Sequence, residues 1–140
     1  MSEEQNMILS RRVIEDIVSQ GNYDLIPELM SPDYILHSPG GQEVKGSEAW
    51  KQLIQMYHTA FPDINMKIED IFSTGDKVTV RFIISGTHRG DLMGISPTEK
   101  YFEVSGIIIG RVANGKAVEA WEMVDQLSMF QQLGLIPPLG

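Results

Sequence analysis

The sequence predicts an α+β domain in which helices come first and an antiparallel sheet follows. Three observations lead there. In the first sixty residues the apolar side chains recur at helical spacing, as Met7, Ile8, Val13, Ile14, Ile17 and Val18, and again as Trp50, Leu53, Ile54 and Tyr57. From Asn65 onward the period changes to two, and turn signals at Thr74-Gly75-Asp76 and Asn114-Gly115 separate the runs. Gly106 and Gly110 then fall inside a long strand, which predicts bulges or a bend and so a strongly curved sheet. The 140 residues fit one domain, with no internal repeat and no linker.

Taken in order, Ser2-Glu3-Glu4-Gln5 reads as a helix start with acids where the macrodipole favours them, and Gly21-Asn22 closes that helix. Asp24 is the expected cap of a short second helix carrying Leu25, Ile26, Leu29 and Met30, ended by Ser31-Pro32. An extended run over Asp33 to His37 leads to the turn Ser38-Pro39-Gly40-Gly41. Gly46-Ser47-Glu48 opens a third helix, with Ser47 as the expected cap and Pro62-Asp63 as the break after Phe61. Strands are predicted over Asn65 to Phe72, Lys77 to His88 and Tyr101 to Val112. The segment Arg89 to Lys100 is a loop long enough to act as a rim or lid. The last strand ends at Asp125, after which Leu127, Phe130 and Leu133 take up helical spacing and Pro137-Pro138 stops the tail.

Composition excludes several classes of function. With 42% apolar and 21% charged residues the chain is ordinary for a folded domain, so disorder is not expected. A net charge of −8 argues against nucleic-acid or anionic-membrane binding. The absence of cysteine removes disulfides, thiol nucleophiles and thiolate metal sites together. The acidic N-terminus lacks the order of a secretory signal, and no apolar run approaches the ~20 residues of a membrane helix. A soluble cytoplasmic protein is the expectation.

On the last strand, alternation sets Glu119, Trp121, Met123 and Asp125 on one face and Val118, Ala120, Glu122 and Val124 on the other. The first face is either a solvated surface or the wall of a pocket. Asp125 has two readings: an acid at the mouth of whatever the sheet encloses, or the cap of the C-terminal helix. His37 and His88 each read as a pocket-mouth donor or as a partly buried polar residue, and His58 as a surface residue. With no His-x-His or Glu-x-x-His spacing, no metal site is expected. Arg81 and Glu119 read as an ion-pair strut, Arg81 pairing with Glu119 or Glu103, or as groups that steady an enolate oxygen. Trp50, Tyr57 and Phe61 line an opening or fill a core. Tyr101, Glu103 and Ser105 are the polar candidates on an otherwise apolar fourth strand, and Trp121 with Met123 is the candidate dry wall.

Four words of the sequence carry a further reading: His37-Ser38-Pro39; Ala60-Phe61-Pro62-Asp63; Gly86-Thr87-His88-Arg89-Gly90 with Gly94-Ile95 and Pro97-Thr98; and Asn114-Gly115-Lys116 through Glu119-Ala120-Trp121 to Asp125 and Gln132-Leu133-Gly134. In that order they resemble the SnoaL-like polyketide cyclase family of the nuclear transport factor 2-like superfold, over nearly the whole chain. The resemblance implies a single domain over residues 1–140, built as a cystatin-like roll: a curved antiparallel sheet forming a cone, with N-terminal helices packed on it and an apolar pocket inside. It implies a cyclase, isomerase or lyase that uses no metal or organic cofactor and closes a ring by intramolecular aldol condensation. The acid would lie on the last strand, where Asp125 matches, and the ligand would be a small apolar carbonyl compound. Since the superfold also hosts binding modules, a non-catalytic small-molecule-binding domain and a dimerisation domain stand as alternatives. A homodimer or homotetramer is the expected assembly.

Overall fold

The computed structural model describes residues 2–137. Helix α1 (Glu3–Arg12) starts with a reciprocal capping box: Ser2 accepts from the Gln5 N–H, and the Gln5 side chain accepts from the Ser2 N–H. It continues as a π-helical stretch, Val13–Ser19, that buries Ile14, Ile17 and Val18. A 3₁₀ turn (Tyr23–Leu25) and the short α2 (Ile26–Leu29) follow. The Asp24 side chain makes no capping bond, and Met30 opens a strand instead of ending a helix. Strand β1 (Met30–His37) absorbs Pro32 because its pairing shifts register between Met30 and Ile35, where no ladder hydrogen bond is needed. Strand β2 (Glu43–Lys45), too short to show an alternation, pairs with β1 across the turn.

Helix α3 (Ser47–Ala60) buries Trp50 and Ile54. Its N-cap is Gly46, at φ 94°, with Ser47 already inside the helix; the left-handed backbone there makes glycine, not a hydroxyl, the residue that starts it. The strands β3 (Asn65–Thr74), β4 (Lys77–Thr87), β5 (Tyr101–Ala113) and β6 (Lys116–Val124) form the expected meander, and α4 (Gln126–Gln132) ends the chain's regular structure. Of the expected Pro137-Pro138 stop, Pro138 lies outside the described residues.

The sheet has six strands in the order β2-β1-β6-β5-β4-β3 and does not close on itself. Every pair is antiparallel except β1 with β6, which is parallel. The long stretch of chain between β1 and β6, through β2, α3 and β3 to β5, makes that possible, since a parallel neighbour needs a long crossover. Bulges at Ile68/Asp70 and Arg111/Val112 bend the sheet into an open cone. Gly106 is placed for close approach: a Cβ there would lie 2.5 Å from Cζ of Phe82.

Two apolar clusters fill the structure. One joins α1 and its π-helical extension to β1, α3 and the inner face of the sheet, through Ile17, Met30, Tyr34, Trp50, Val80 and Phe82. The other holds Phe61, Leu92, Phe102, Met129 and Leu133 at the wide end, with the Phe61 and Phe102 rings edge-on at 4.9 Å. Gln132 completes that end. Its side-chain amide accepts from the Glu103 N–H at 2.8 Å and donates to the Glu103 carbonyl at 3.1 Å, covering the part of β5 that β6 does not reach. No described helix is long and apolar enough to cross a membrane.

Candidate functional site

Alternation along β6 decides which side chains meet the cone. Ala120 is buried on its inner face, while Trp121 and Met123 are exposed on its outer face. Glu122 therefore points inward. Protein surrounds its carboxyl on most sides while part of the side chain stays open to solvent. Burial pushes its pKa above the ordinary carboxylate value, because a desolvated carboxylate is costly in its charged form. Among the described residues the carboxyl makes no hydrogen bond and no ion pair.

Two phenols lie near enough to feel the charge of the same acid. Tyr34, on the inner face of β1, is almost wholly buried, and Tyr57 on α3 is half-buried. Both have pKa values raised by burial first and by the charge of Glu122 second. Neither hydroxyl bonds to another described residue, so each has a donor to offer. The Trp50 ring stands edge-on to Tyr34 at 6.0 Å and fixes it from the α3 side. A cavity of about 50 Å³ lies beside Tyr34 between α1 and the sheet. A larger cleft, about 830 Å³, opens on the far side between Ser2, Glu3, Asn6 and the hairpin tips at Gly75 and Gly115, away from the acid.

On the outer face the side chains pair with one another. The Glu119 carboxylate accepts from His37 Nε2 at 2.7 Å and from Arg111 at 3.2 Å. The bond from His37 does most to hold its pKa below the ordinary value; burial opposes this and Arg111 adds to it. His37 Nδ1 also meets Glu43 at 3.1 Å, and its ring stacks on Trp121 at 5.3 Å. Arg81 pairs with Asp70 on β3 at 2.7 Å, and not with Glu119 or Glu103 as the alternation suggested. Tyr101 is exposed, its hydroxyl 3.4 Å from Glu103. Trp121 and Met123 do not wall a pocket, for the same reason of parity. Asp125 is exposed too and looks out of the cone. Its carboxylate accepts from the Ser128 N–H at 3.1 Å and caps α4.

The profile of the SnoaL-like polyketide cyclase family matches residues 8–133. The chain belongs to that family. It is 27% identical over 133 residues to the aklanonic acid methyl ester cyclase DauD of Streptomyces sp. (strain C5), covering 90% of this chain and 80% of that one. It is 27% identical over 119 residues to the nogalonic acid methyl ester cyclase of Streptomyces nogalater, covering 81% and 87%. Among solved structures, wild-type IdmH from Streptomyces antibioticus superposes with a TM-score of 0.82 at 32% identity, covering 93% of this chain and 99% of that one.

In this SnoaL-like chain the remaining expected site residues hold the fold. His88 has no exposed surface. Its Nδ1 accepts from the Thr98 N–H at 3.2 Å, and its backbone pairs with Glu99 and Lys100, which closes the base of the 89–100 loop. The Arg89 and Gly90 N–H groups both donate to the Ala60 carbonyl, and a Cβ on Gly90 would sit 1.9 Å from the Thr59 carbonyl oxygen. Asp63 accepts from the Thr87 N–H and hydroxyl at 2.7 and 2.8 Å. The loop is thus fastened to α3 and β4. Phe61 and Trp50 are core; of the three aromatics expected on α3 and at its end, Tyr57 is the one whose hydroxyl feels the charge of Glu122. His58 is not a surface residue: it bonds to the Tyr23 hydroxyl and, at 2.7 Å, to the Val18 carbonyl, joining α3 to the π-helical stretch. Among the described residues no three His, Asp or Glu side chains converge as metal ligands do.

Glu122 and Tyr34 are candidate site residues that the sequence reading passed over. The signal was present in both. Glu122 was the one charged residue on the otherwise apolar face of the last strand, and Tyr34 the one hydroxyl in the run before His37.

Proposed function

We propose that this protein closes a ring in a small carbonyl compound of polyketide type by intramolecular aldol chemistry, with Glu122 as the acid–base group. The observation that carries the reading is an inward carboxyl of raised pKa that no described residue bonds, with two phenols, likewise unbonded among the described residues, near enough to feel its charge. Holding a carboxyl in a partly desolvated place costs stability, and groups with shifted pKa values concentrate where chemistry needs them.

The chemistry follows from those three side chains. The Glu122 carboxylate removes a proton from the carbon next to a carbonyl. Its raised pKa makes it a stronger base than an exposed carboxylate at neutral pH. The enolate oxygen that forms takes hydrogen bonds from Tyr34 and Tyr57, whose own raised pKa values keep them protonated as donors. The enolate carbon attacks a second carbonyl of the same molecule and forms the new carbon–carbon bond. Protonated Glu122 then returns its proton to the new alkoxide, so protons balance and no cofactor enters. The ligand is apolar around its carbonyls, in keeping with the aliphatic inner face.

A homodimer is part of the same reading. The outer face carries Phe72, Ile107, Ile109, Trp121 and Met123 in the open. Both signs of charge flank them: Arg81 with Asp70 on one side, Arg111 with Glu119 and Glu43 on the other. A face of that pattern is self-complementary under a two-fold axis. Four strands at ~4.8 Å spacing over nine residues cover roughly 600 Å² per copy, or about 1,200 Å² in all, at the lower bound for a stable interface.

The test is turnover of poly-β-ketone methyl esters by wild type and Glu122→Gln, with binding followed separately. Loss of turnover with binding kept supports the acid–base role. Full activity in the variant ends it.

A further inference from the structure

Glycine inside a strand loses the most conformational freedom on folding and adds no side chain to the packing. Strand β5 carries two on its inner face, and their surroundings differ. A Cβ on Gly106 would lie 2.5 Å from Phe82 Cζ and 2.7 Å from the Met123 carbonyl oxygen, so glycine is required there. A Cβ on Gly110 would meet nothing nearer than 4.0 Å, and its φ lies outside the left-handed region. Neither crowding nor backbone geometry calls for glycine at 110.

What the missing side chain leaves is space. Gly110, Ala117 and Ala120 are the small residues around the cavity of about 50 Å³, and Val13, Ile14, Val80 and Ile108 give it aliphatic walls. Val13 and Ile14 come from the π-helical stretch, so the wider helix shapes the cavity as well. Its position ties it to the acid. Ala120 precedes Glu122 by two residues on the same inner face, and Ile108 is the ladder partner of Glu122. Tyr34 borders the cavity and lies on the inner face that also carries Glu122, since Leu36, two residues on from Tyr34, pairs with Ala120.

We propose that this cavity is a subsite for a short alkyl arm, of one or two carbons, carried by the carbonyl compound on which Glu122 acts; the inference rests on the acid–base reading above. The size decides against a ring: a cavity that takes benzene measures ~150 Å³, and one water occupies ~30 Å³ of liquid. Ser10, Arg111 and Glu119 also border the cavity, but its surface is mostly carbon, which suits an alkyl arm better than a polar one. Each arm carbon buried tightens binding by about fourfold until the space is full, after which a longer arm clashes.

Two measurements test this on the full chain. Crystals pressurised with xenon are expected to show one xenon between Gly110, Ala120 and Tyr34, absent in Gly110→Ala and in Ala120→Val. Gly110→Ala is also expected to melt a few degrees higher, because the new methyl has room and the glycine's flexibility is lost from the unfolded chain. NMR titration with cyclohexanone and its 2-methyl, 2-ethyl and 2-butyl derivatives should show affinity rising about fourfold per carbon to ethyl and falling at butyl. In Gly110→Ala the optimum moves one carbon shorter. No xenon in the wild-type cavity, xenon retained in both variants, or ketone binding that is absent, flat or still rising at butyl overturns the proposal. A fully active Glu122→Gln that keeps its xenon would instead remove the acid–base reading and leave the cavity standing.

Discussion

Glu119 and Glu122 sit three positions apart on one strand and have opposite fates. Glu119 looks outward, is held by His37 and Arg111, and has its pKa lowered. Glu122 looks inward, has no partner among the described residues, and has its pKa raised by burial. The strand's period of two makes the difference: an odd spacing puts the two residues on opposite faces. One glutamate is a strut, and the other is the reagent in the mechanism proposed above. The pair teaches that in a one-sheet cone the two faces are different solvents, and that a residue's chemistry follows from which one it meets.

The largest effect that would sharpen this contrast is on turnover. Glu122→Gln is expected to reduce kcat by about 10²–10⁴, the usual worth of a positioned acid–base group, while the melting temperature holds or rises. Glu119→Gln should leave kcat near wild type. Steady-state kinetics and thermal unfolding on both variants check it, and equal losses would erase the distinction between the faces.

Next comes assembly. Ile107→Lys puts a charge in the middle of the apolar outer face. Analytical ultracentrifugation is expected to show the dimer of the wild type replaced by a monomer, with the fold kept. A wild type that sediments as a monomer at all concentrations would remove the interface.

A smaller effect separates Asp125 from Glu122. Asp125→Ala removes the cap of α4 and is expected to cost ~1 kcal/mol in denaturant unfolding, within the range for lost N-caps. Turnover at temperatures well below the melting point should persist. A loss of kcat as large as that of Glu122→Gln would return the catalytic role to Asp125.

The smallest is the pH dependence of stability, where the two glutamates pull in opposite directions. Glu122 has a folded pKa above its unfolded value. Its contribution is present below the ordinary carboxylate range, about 4.3, and is lost as pH rises through the raised value. Glu119 has a folded pKa below its unfolded value, so it stabilises above that range and loses its contribution as pH falls through the lowered value. In urea unfolding across pH, Glu122→Gln should flatten the loss on the rising side and Glu119→Gln the loss on the acid side. The same slope in both variants would contradict the assignment of faces.

Much of the fold was legible because it is written in local rules. The capping box at Ser2, the helical stripes, the alternation of the strands and the Asn114-Gly115 hairpin each depend on neighbours within a few residues. The words that suggested the family proved to be fasteners: Asp63 to Thr87, Gly90 on Ala60, Gln132 on Glu103. Each ties a loop or a strand end of the cone to its neighbour. The site was legible only as a choice between faces. Alternation divided β6 correctly into two sets of residues, but nothing local says which set faces the interior.

By itself, then, the sequence determined the order of elements, the curvature of the sheet and the pairing of faces along each strand, since hydrogen bonding and side-chain period act over short distances. The tertiary structure decided which side of the sheet the helices cover. Packing α1 and α3 against Ala120 and Phe82 takes water from Glu122, Tyr34 and Tyr57 and leaves it to Asp125 and Trp121. Desolvation is a property of what lies on top of a residue, and no residue carries that information in its own neighbourhood of the chain.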